Sequence, residues 1–508
     1  MAQVPKRWNS REGFLLLGNA VPPSQLHTDN EPVAAIQIHN AVDVSQYSIM
    51  KAQTSQLCQD QLNTYYHDIV VDLHEQVKAM KIDTSKLYAA VGLVQRVPDE
   101  ISDRQPPSLD LKVFDPYSGE LDDKDTLRVW TRTVVRTTGV FVGGIIAVVG
   151  EITQRDVRQQ VVGLSAVDIL TPRMPPVPWL LPQAAQEQAV KLPFDSALES
   201  LRIHFVAGPY PKPFAGQLLQ SVVITAMQRK VDLLVIAGPL VVEPTNDADF
   251  DSLFTDQLYR TIEEVHQALP TGDDKPTRTR IILIPSLDDV TLTPVTPQLP
   301  YDILPDEFPG FSFATNPCSI TIGGLTVGVS SFDALSQLQG EFFEQGCDHQ
   351  SRPYRIADTV LRTGLYMPLS TTVRPWLDLA HLHRLRLCCV ANRPFVKGET
   401  GVTKKEEDKE DHVESAAKSL PHIVLATSTK KPFAFRADAA VAGDGQGVLF
   451  VNLGTAKALE GQVPVGVERP FQLHVAEITV KNRPAFIKEG PSEAAGVSVG
   501  SLLFERAQ

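Results

Sequence analysis

The sequence predicts a mixed architecture: a layered α/β unit with a large central sheet, preceded by a small five-stranded β-barrel. Three observations carry this expectation. Between about residues 86 and 180, five short β-type runs follow one another, separated by turn clusters such as DPYSGELDDKD. From about residue 195 onward, apolar runs of the buried-strand kind alternate with helical stretches. The chain has 508 residues, 43% hydrophobic and 21% charged, which exceeds one comfortable core and calls for two or three folded units.

Residues 1–54 carry Pro, Asn, Ser and Gln without periodicity and read as an extended or poorly ordered lead. Over 55–85 the spacing of Leu62, Tyr65, Ile69, Leu73, Val77 and Met80 by three or four predicts an amphipathic helix. The runs LYAAVGLVQRV, LDLKVFD, LRVWTRTVV, GVFVGGIIAVVGEIT and RQQVVGLSAVDIL then fill 86–180. Five short strands in that length fit a barrel of the oligonucleotide/oligosaccharide-binding (OB) type. A proline-rich bridge, TPRMPPVPWLLPQ at 171–183, separates it from the α/β unit assigned to 181–508. There LRIHFVAGPY, a helix from Phe214 to Arg229, VDLLVIAGPLVVE, a helix from Phe250 to Leu269 and RIILIPSLDDV follow in order. Later strands are SITIGGLTVGVSS, PHIVLATSTKK, GVLFVNLG and FQLHVAEITV, and the charged stretch at 398–419 reads as a solvated insertion loop.

Composition excludes several functions. The net charge of −13 argues against binding a phosphate backbone through charge alone, which requires clustered Lys and Arg. Cys58, Cys318, Cys347, Cys388 and Cys389 are spaced like neither a disulfide framework nor a zinc site, so structural thiols are expected. The apolar run VFVGGIIAVVG is shorter than the roughly 20 residues of a membrane helix, and the N-terminus lacks the order of a secretory signal. An intracellular protein without membrane contact is expected.

In open α/β sheets, chemistry gathers where strands end and loops begin. The first tip reads AGPYP (Gly208, Pro209, Tyr210), the second AGPLVVE (Gly238, Pro239) and the third IPSLDDV (Pro285, Ser286, Asp288, Asp289). Later tips read LATSTKK and VNLGT (Asn452, Gly454). Only Asp288 and Asp289 offer hard oxygen ligands in number, and two carboxylates on one loop do not make a dinuclear cage. The histidines His204, His381, His383, His422 and His474 read as structural, and Thr427, Ser428 and Thr429 lack a neighbouring His and acid for a nucleophilic triad. In the barrel, alternation along LRVWTRTVV places Arg128, Trp130, Arg132 and Val134 on one face and Val129, Thr131, Thr133 and Val135 on the other. Arg128, Trp130 and Arg132 are thus the candidate nucleic-acid contact, set against the plainer reading of a solvated arginine row.

The order of strands and tips resembles the calcineurin-like metallophosphoesterase superfamily, whose Asp-x-His, Gly-Asp-x-x-Asp, Gly-Asn-His-Asp/Glu and Gly-His-x-His tips are each eroded here. An inactive phosphoesterase unit preceded by a small barrel resembles the B subunits of replicative DNA polymerases. The run RIILIPSLDDVTLTPVTPQLPYD at 280–302 is similar to the VPS-x-x-DV-x-x-x-PV-x-PQ-P segment of the alpha-type B subunits, at Pro285, Ser286, Asp289, Val290, Pro294, Val295, Pro297, Gln298 and Pro300. AGPYP, VDLLVIAGPLV, FATNPCSITIGGLTVGVSSFDAL, LRTGLYMPL and VNLGTAKALEGQVPVGVERPFQLHV are similar to further segments of that family, in the same order. Leu240, Leu453 and the insertion at about 385–419 depart from it, and the N-terminus is short for the helical domain that family members carry. The resemblance implies a nuclear, non-catalytic subunit without cofactor. It would bind the C-terminal domain of the polymerase alpha catalytic subunit and tether it to the primase subunits, touching DNA indirectly or weakly. The delta and epsilon B subunits are the alternative, and a residual phosphoesterase built on Asp288 and Asp289 is a further one.

Overall fold

The computed structural model describes residues 55–84, 86–97, 107–114, 121–175, 200–210, 215–240, 258–267, 279–289, 297–303, 308–322, 325–347, 351–368, 387, 389–390, 418–438, 447–455, 457–458, 471–481 and 495–504, together with short strands at 6–9, 14–16 and 36–39. The loop at 398–417, the prolines from 176 to 183, and His381 and His383 lie outside the described residues.

In chain order the first strands are β1 (Lys6–Asn9), β2 (Phe14–Leu16) and β3 (Ile36–His39), followed by helix α1 (Ser55–Ala79). Next come β4 (Tyr88–Arg96), β5 (Ser108–Phe114), β6 (Leu121–Trp130), β7 (Thr137–Phe141), β8 (Ile145–Arg155) and β9 (Val161–Leu170). The remainder opens with β10 (Ser200–Ala207), α2 (Ala215–Gln228), β11 (Leu233–Ala237), α3 (Arg260–Gln267), β12 (Arg280–Ile284), β13 (Phe311–Phe313), β14 (Cys318–Ile322) and β15 (Leu325–Ser330). It continues through α4 (Ala334–Glu341), β16 (Phe342–Gln345), α5 (Arg352–Thr363), β17 (Cys389–Val390), β18 (Lys418–Ser419), β19 (Ile423–Ser428) and β20 (Phe433–Asp438). The last strands are β21 (Gly447–Gly454), β22 (Lys457–Ala458), β23 (Phe471–Lys481) and β24 (Ala495–Phe504).

Five strands close a barrel in the order β4-β5-β6-β9-β8, with β6 and β9 parallel and the other neighbours antiparallel. The run GVFVGGIIAVVGEIT, expected as one strand, is two. Gly143 at φ 88°, a conformation most side chains disfavour, turns the chain between β7 and β8. β7 therefore leaves the barrel and pairs with β16 of the α/β unit.

The α/β unit holds two mixed sheets. One runs β1-β2-β24-β23-β10-β11-β12-β13, with β10 to β13 parallel; the other runs β20-β21-β19-β15-β14-β3, with β21, β19 and β15 parallel. β11, LLVIA, is buried along its whole length, as a parallel strand covered on both faces must be. Leu201, Ile203, Phe205 and Ile282 of the first sheet share a buried cluster with Ile320, Val327, Leu425 and Val451 of the second. On the other face of the first sheet, Leu218, Leu219, Val222, Val223 and Ala226 of α2 pack with Ile262 and Val265 of α3. Segments from the N-terminal lead thus join the edges of both sheets, β2 beside β24 and β3 beside β14, where an extended or poorly ordered lead was expected.

Barrel and α/β unit share a core. Tyr66, Val70 and Leu73 of α1 cluster with Val91, Phe141 and Ala147 of the barrel segment and with Leu335, Phe342, Ile356 and Val424 beyond it. The apolar stripe of α1 is wider than the expected one: Ile69, Leu73 and Val77 pack on this core as expected, Tyr66 and Val70 join them, and Met80, beyond the helix end at Ala79, is exposed. α1 also fixes the barrel exit, since Asp72 accepts from the Arg173 backbone N–H (3.0 Å) and Gln76 donates to the Thr171 carbonyl (3.3 Å).

Candidate functional site

Because β10, β11 and β12 are neighbours in register, their C-terminal tips lie side by side. Backbone bonds carry the ladder past the strand ends: Gly208 donates to Ala237 (3.0 Å) and Gly238 to Ile284 (2.7 Å). Both Gly-Pro bonds, Gly208-Pro209 and Gly238-Pro239, are cis.

Asp289 is the centre of this region. It is 3% exposed, and its Oδ1 accepts from the Leu240 backbone N–H at 2.6 Å. Its Oδ2 accepts from the Ser286 backbone N–H (2.8 Å) and the Tyr301 hydroxyl (2.7 Å). Three donors from three segments satisfy a carboxylate that would otherwise be costly to bury. Gly238 is packed so closely that a Cβ there would collide with Asp289 Oδ2. Tyr210 is buried as well and donates to the Ala237 carbonyl (3.4 Å). Burial, and next the charge of Asp289, push the phenol pKa values of Tyr210 and Tyr301 well above the usual range, so both remain neutral donors.

A second buried network continues from this hub. Gln298 donates from Nε2 to the Ser286 carbonyl (2.8 Å) and accepts at Oε1 from Asn316 Nδ2 (3.3 Å). Asn316 Oδ1 accepts from the Ser331 backbone N–H (3.1 Å), and the Ser331 hydroxyl donates to the Pro285 carbonyl (2.6 Å). Thr427 Oγ1 donates to the Ser331 carbonyl (2.9 Å). Tips of both sheets are thereby tied at one end of the α/β unit.

Of the residues singled out from sequence, Gly208, Pro209, Tyr210, Gly238, Pro239, Pro285, Ser286 and Asp289 belong to this cluster of tips. Asp288 does not: it is exposed, while Asp289 is buried, so the adjacent carboxylates do not converge on one ion. Asn452 is fully buried but turned to the Lys431 carbonyl (3.3 Å), and Gly454 packs against Lys430 and Pro432. Val290, Pro294 and Val295 lie outside the described residues. Among the described residues, no group of three or more His, Cys, Asp or Glu side chains is placed to hold a metal. Tyr301, Asn316 and Ser331 were not singled out by sequence reasoning. Tyr301 follows the PQ-P string directly, and a buried polar residue beside a recognised motif was the available signal.

Two further sites are structural. His204, 2% exposed, lies 3.7 Å from Glu477 on the paired strand, and Arg229 at the end of α2 ion-pairs with the same carboxylate. The neighbouring His204 imidazole, together with the nearby Arg229 charge, holds the Glu477 pKa below its ordinary value against the opposing effect of burial. His422 is buried, its Nδ1 accepts from the Thr326 backbone N–H (3.0 Å), and burial lowers its pKa to about 3.

In the barrel, Arg128 is exposed and pairs with Asp110 (3.1 Å), and the half-buried Trp130 ring lies against Gly163, where a Cβ would come within 2.9 Å of it. β6 ends at Trp130, so the alternation stops there. Val134 turns into the barrel core and Val135 turns out, the reverse of the expected faces.

Residues 203–434, which contain the three tips and the Asp289 hub, match the family model for the B subunit of DNA polymerases alpha and epsilon. The chain is 27% identical over 197 residues to the B subunit of DNA polymerase alpha from Bos taurus, covering 36% of this chain and 32% of that protein. It is 26% identical over 216 residues to the Caenorhabditis elegans protein of that name, covering 38% and 34%, and 24% identical over 196 residues to the Mus musculus one, covering 36% and 32%. The matched stretch thus spans about a third of the length of these relatives. The segment from residue 203 to 434 is related to the B-subunit family of DNA polymerases alpha and epsilon, and resembles its alpha type.

Proposed function

We propose that this protein is a non-catalytic accessory subunit of a DNA polymerase, of the alpha–primase type. The barrel and the α/β unit together would grip the C-terminal domain of the catalytic subunit and tether it to the primase subunits in the nucleus. The observation that carries this reading is the Asp289 hub within the segment related to the B subunits. Its carboxylate is engaged by three protein donors at the strand tips, where a two-metal hydrolase needs open carboxylates and imidazoles. The barrel order, with its third and fifth strands parallel, supports an OB-type assignment. The cluster shared by the two sheets, with α2 and α3 on one outer side and α4 and α5 on the other, supports a layered sandwich of the inactive phosphoesterase type. The shared core at β7, β16 and α1 supports the two units acting as one body towards a partner.

Co-expression with the C-terminal domain of an alpha-type catalytic subunit tests this reading. A single complex on a sizing column is expected, and two separate monomer peaks would oppose it. Hydrolysis of a chromogenic phosphodiester in manganese, lost in the Asp288→Asn/Asp289→Asn double variant, would favour the phosphoesterase alternative instead.

A further inference from the structure

The loop between β6 and β7 carries an apolar side chain that the fold holds out into solvent. Val135 is 88% exposed, while the adjacent Val134 is 2% exposed and plugs the barrel core. The loop is fastened from several sides. The Thr133 hydroxyl donates to the Ala166 carbonyl, Gln345 Nε2 donates to the Val134 carbonyl (2.8 Å), and the Val134 backbone N–H donates to Thr131 (3.1 Å). Gly346, at φ 65°, lies so close to the Val135 carbonyl that a Cβ would collide with it, so only glycine fits there. An exposed valine on a loop fixed in this way avoids the ordering entropy that a flexible loop loses on binding.

Arg132 and Arg136 flank Val135, and both are exposed. Neither ion-pairs with a carboxylate among the described residues, in contrast to Arg128 on the same barrel. Two exposed arginines on the same short loop as one protruding aliphatic group, without an ion pair among the described residues, make a local cationic and apolar knob in a chain of net charge −13. From this geometry we infer that the Arg132–Arg136 loop is a protein-docking knob for an acidic partner segment that presents an aliphatic side chain to Val135 between carboxylates that meet Arg132 and Arg136. Single-stranded nucleic acid fits less well. Stacking needs an open aromatic face, the exposed residue here is a valine, and the Trp130 ring is packed on Gly163. This knob goes beyond the grip on the catalytic subunit and rests on the accessory-subunit reading only in expecting a polypeptide partner.

The test is fluorescence anisotropy with the full chain and three labelled probes: a peptide of alternating Leu and Asp, a poly-Glu peptide, and an oligo-dT strand. The alternating peptide is expected to bind best. Binding should weaken about tenfold or more in Arg132→Glu/Arg136→Glu and about threefold in Val135→Ser. All these positions are exposed, and an unchanged melting curve verifies folding of the variants. Equal binding of poly-Glu with no effect of Val135→Ser would overturn the apolar part. Oligo-dT binding lost in the arginine variant would overturn the protein assignment in favour of nucleic acid. Peptide binding indifferent to every variant would overturn the knob altogether. None of these outcomes affects co-assembly with the catalytic C-terminal domain, so the failure of one reading is distinguishable from the failure of the other.

Discussion

Asp289 and Asp288 are adjacent in sequence and opposite in consequence. Removing the Asp289 carboxylate strands the Leu240 and Ser286 amides and the Tyr301 hydroxyl in a buried site, each at about 1–3 kcal/mol. Asp289→Ala is therefore expected to lower the free energy of unfolding in urea by at least about 3 kcal/mol, and Asp288→Asn to stay within about 0.5 kcal/mol. Equal effects would contradict the hub. His422 supplies a pH dependence. Its pKa falls from an unfolded value near 6.5 to about 3, so the unfolded chain binds the extra proton first as pH drops. Its contribution is fully present above about pH 6.5 and is lost between there and about pH 3, at up to about 1.4 kcal/mol per pH unit. Glu477, with its pKa lowered, adds to the loss in the same direction as pH falls through its folded value. His422→Gln, whose side-chain oxygen can still accept from Thr326, is expected to flatten the acid limb of a pH–stability profile; an unchanged slope would refute that assignment. At this scale the sequence showed the tip residues themselves, because glycine, proline and acid stand out in an apolar run. It did not show that Asp289 points inward and Asp288 outward, which depends on the tight approach of Gly238 and on a tyrosine twelve residues further on.

The elements follow the same division. α2, expected over Phe214–Arg229, forms at Ala215–Gln228, and the parallel strands lie where continuous apolar runs placed them, since burial on both faces leaves a plain signal. The split of β7 from β8 was hidden, because VFVGGIIAVVG is apolar throughout and only Gly143 marks the turn. Its result is long-range: β7 pairs with β16, about 200 residues away in sequence, a contact with no local signature. The face of α1 was likewise set by its tertiary neighbours, with Tyr66 and Val70 added to the expected Ile69, Leu73 and Val77. Leu73, fully buried at this junction, joins barrel and α/β unit in one core. Leu73→Ala should cost about 2–5 kcal/mol and lower the melting temperature of a single cooperative transition in calorimetry. Two separate transitions, with only one displaced, would show that barrel and α/β unit fold independently.

The whole molecule joins an α/β unit, its strand tips closed by internal hydrogen bonds, through a common core to a small barrel. At this scale composition supplies expectations alone: a net charge of −13 and scattered cysteines argue against a charge-driven nucleic-acid binder and a zinc module. The partners were not legible, because a contact surface has no fixed residue pattern comparable to a ligand set. Affinity isolation of the endogenous protein in high salt, which strips contacts held by charge alone, tests the accessory role most directly. Recovery of a DNA polymerase catalytic subunit together with two primase subunits is expected. A polymerase without primase would contradict the alpha assignment, and a preparation free of any polymerase would contradict the accessory function itself.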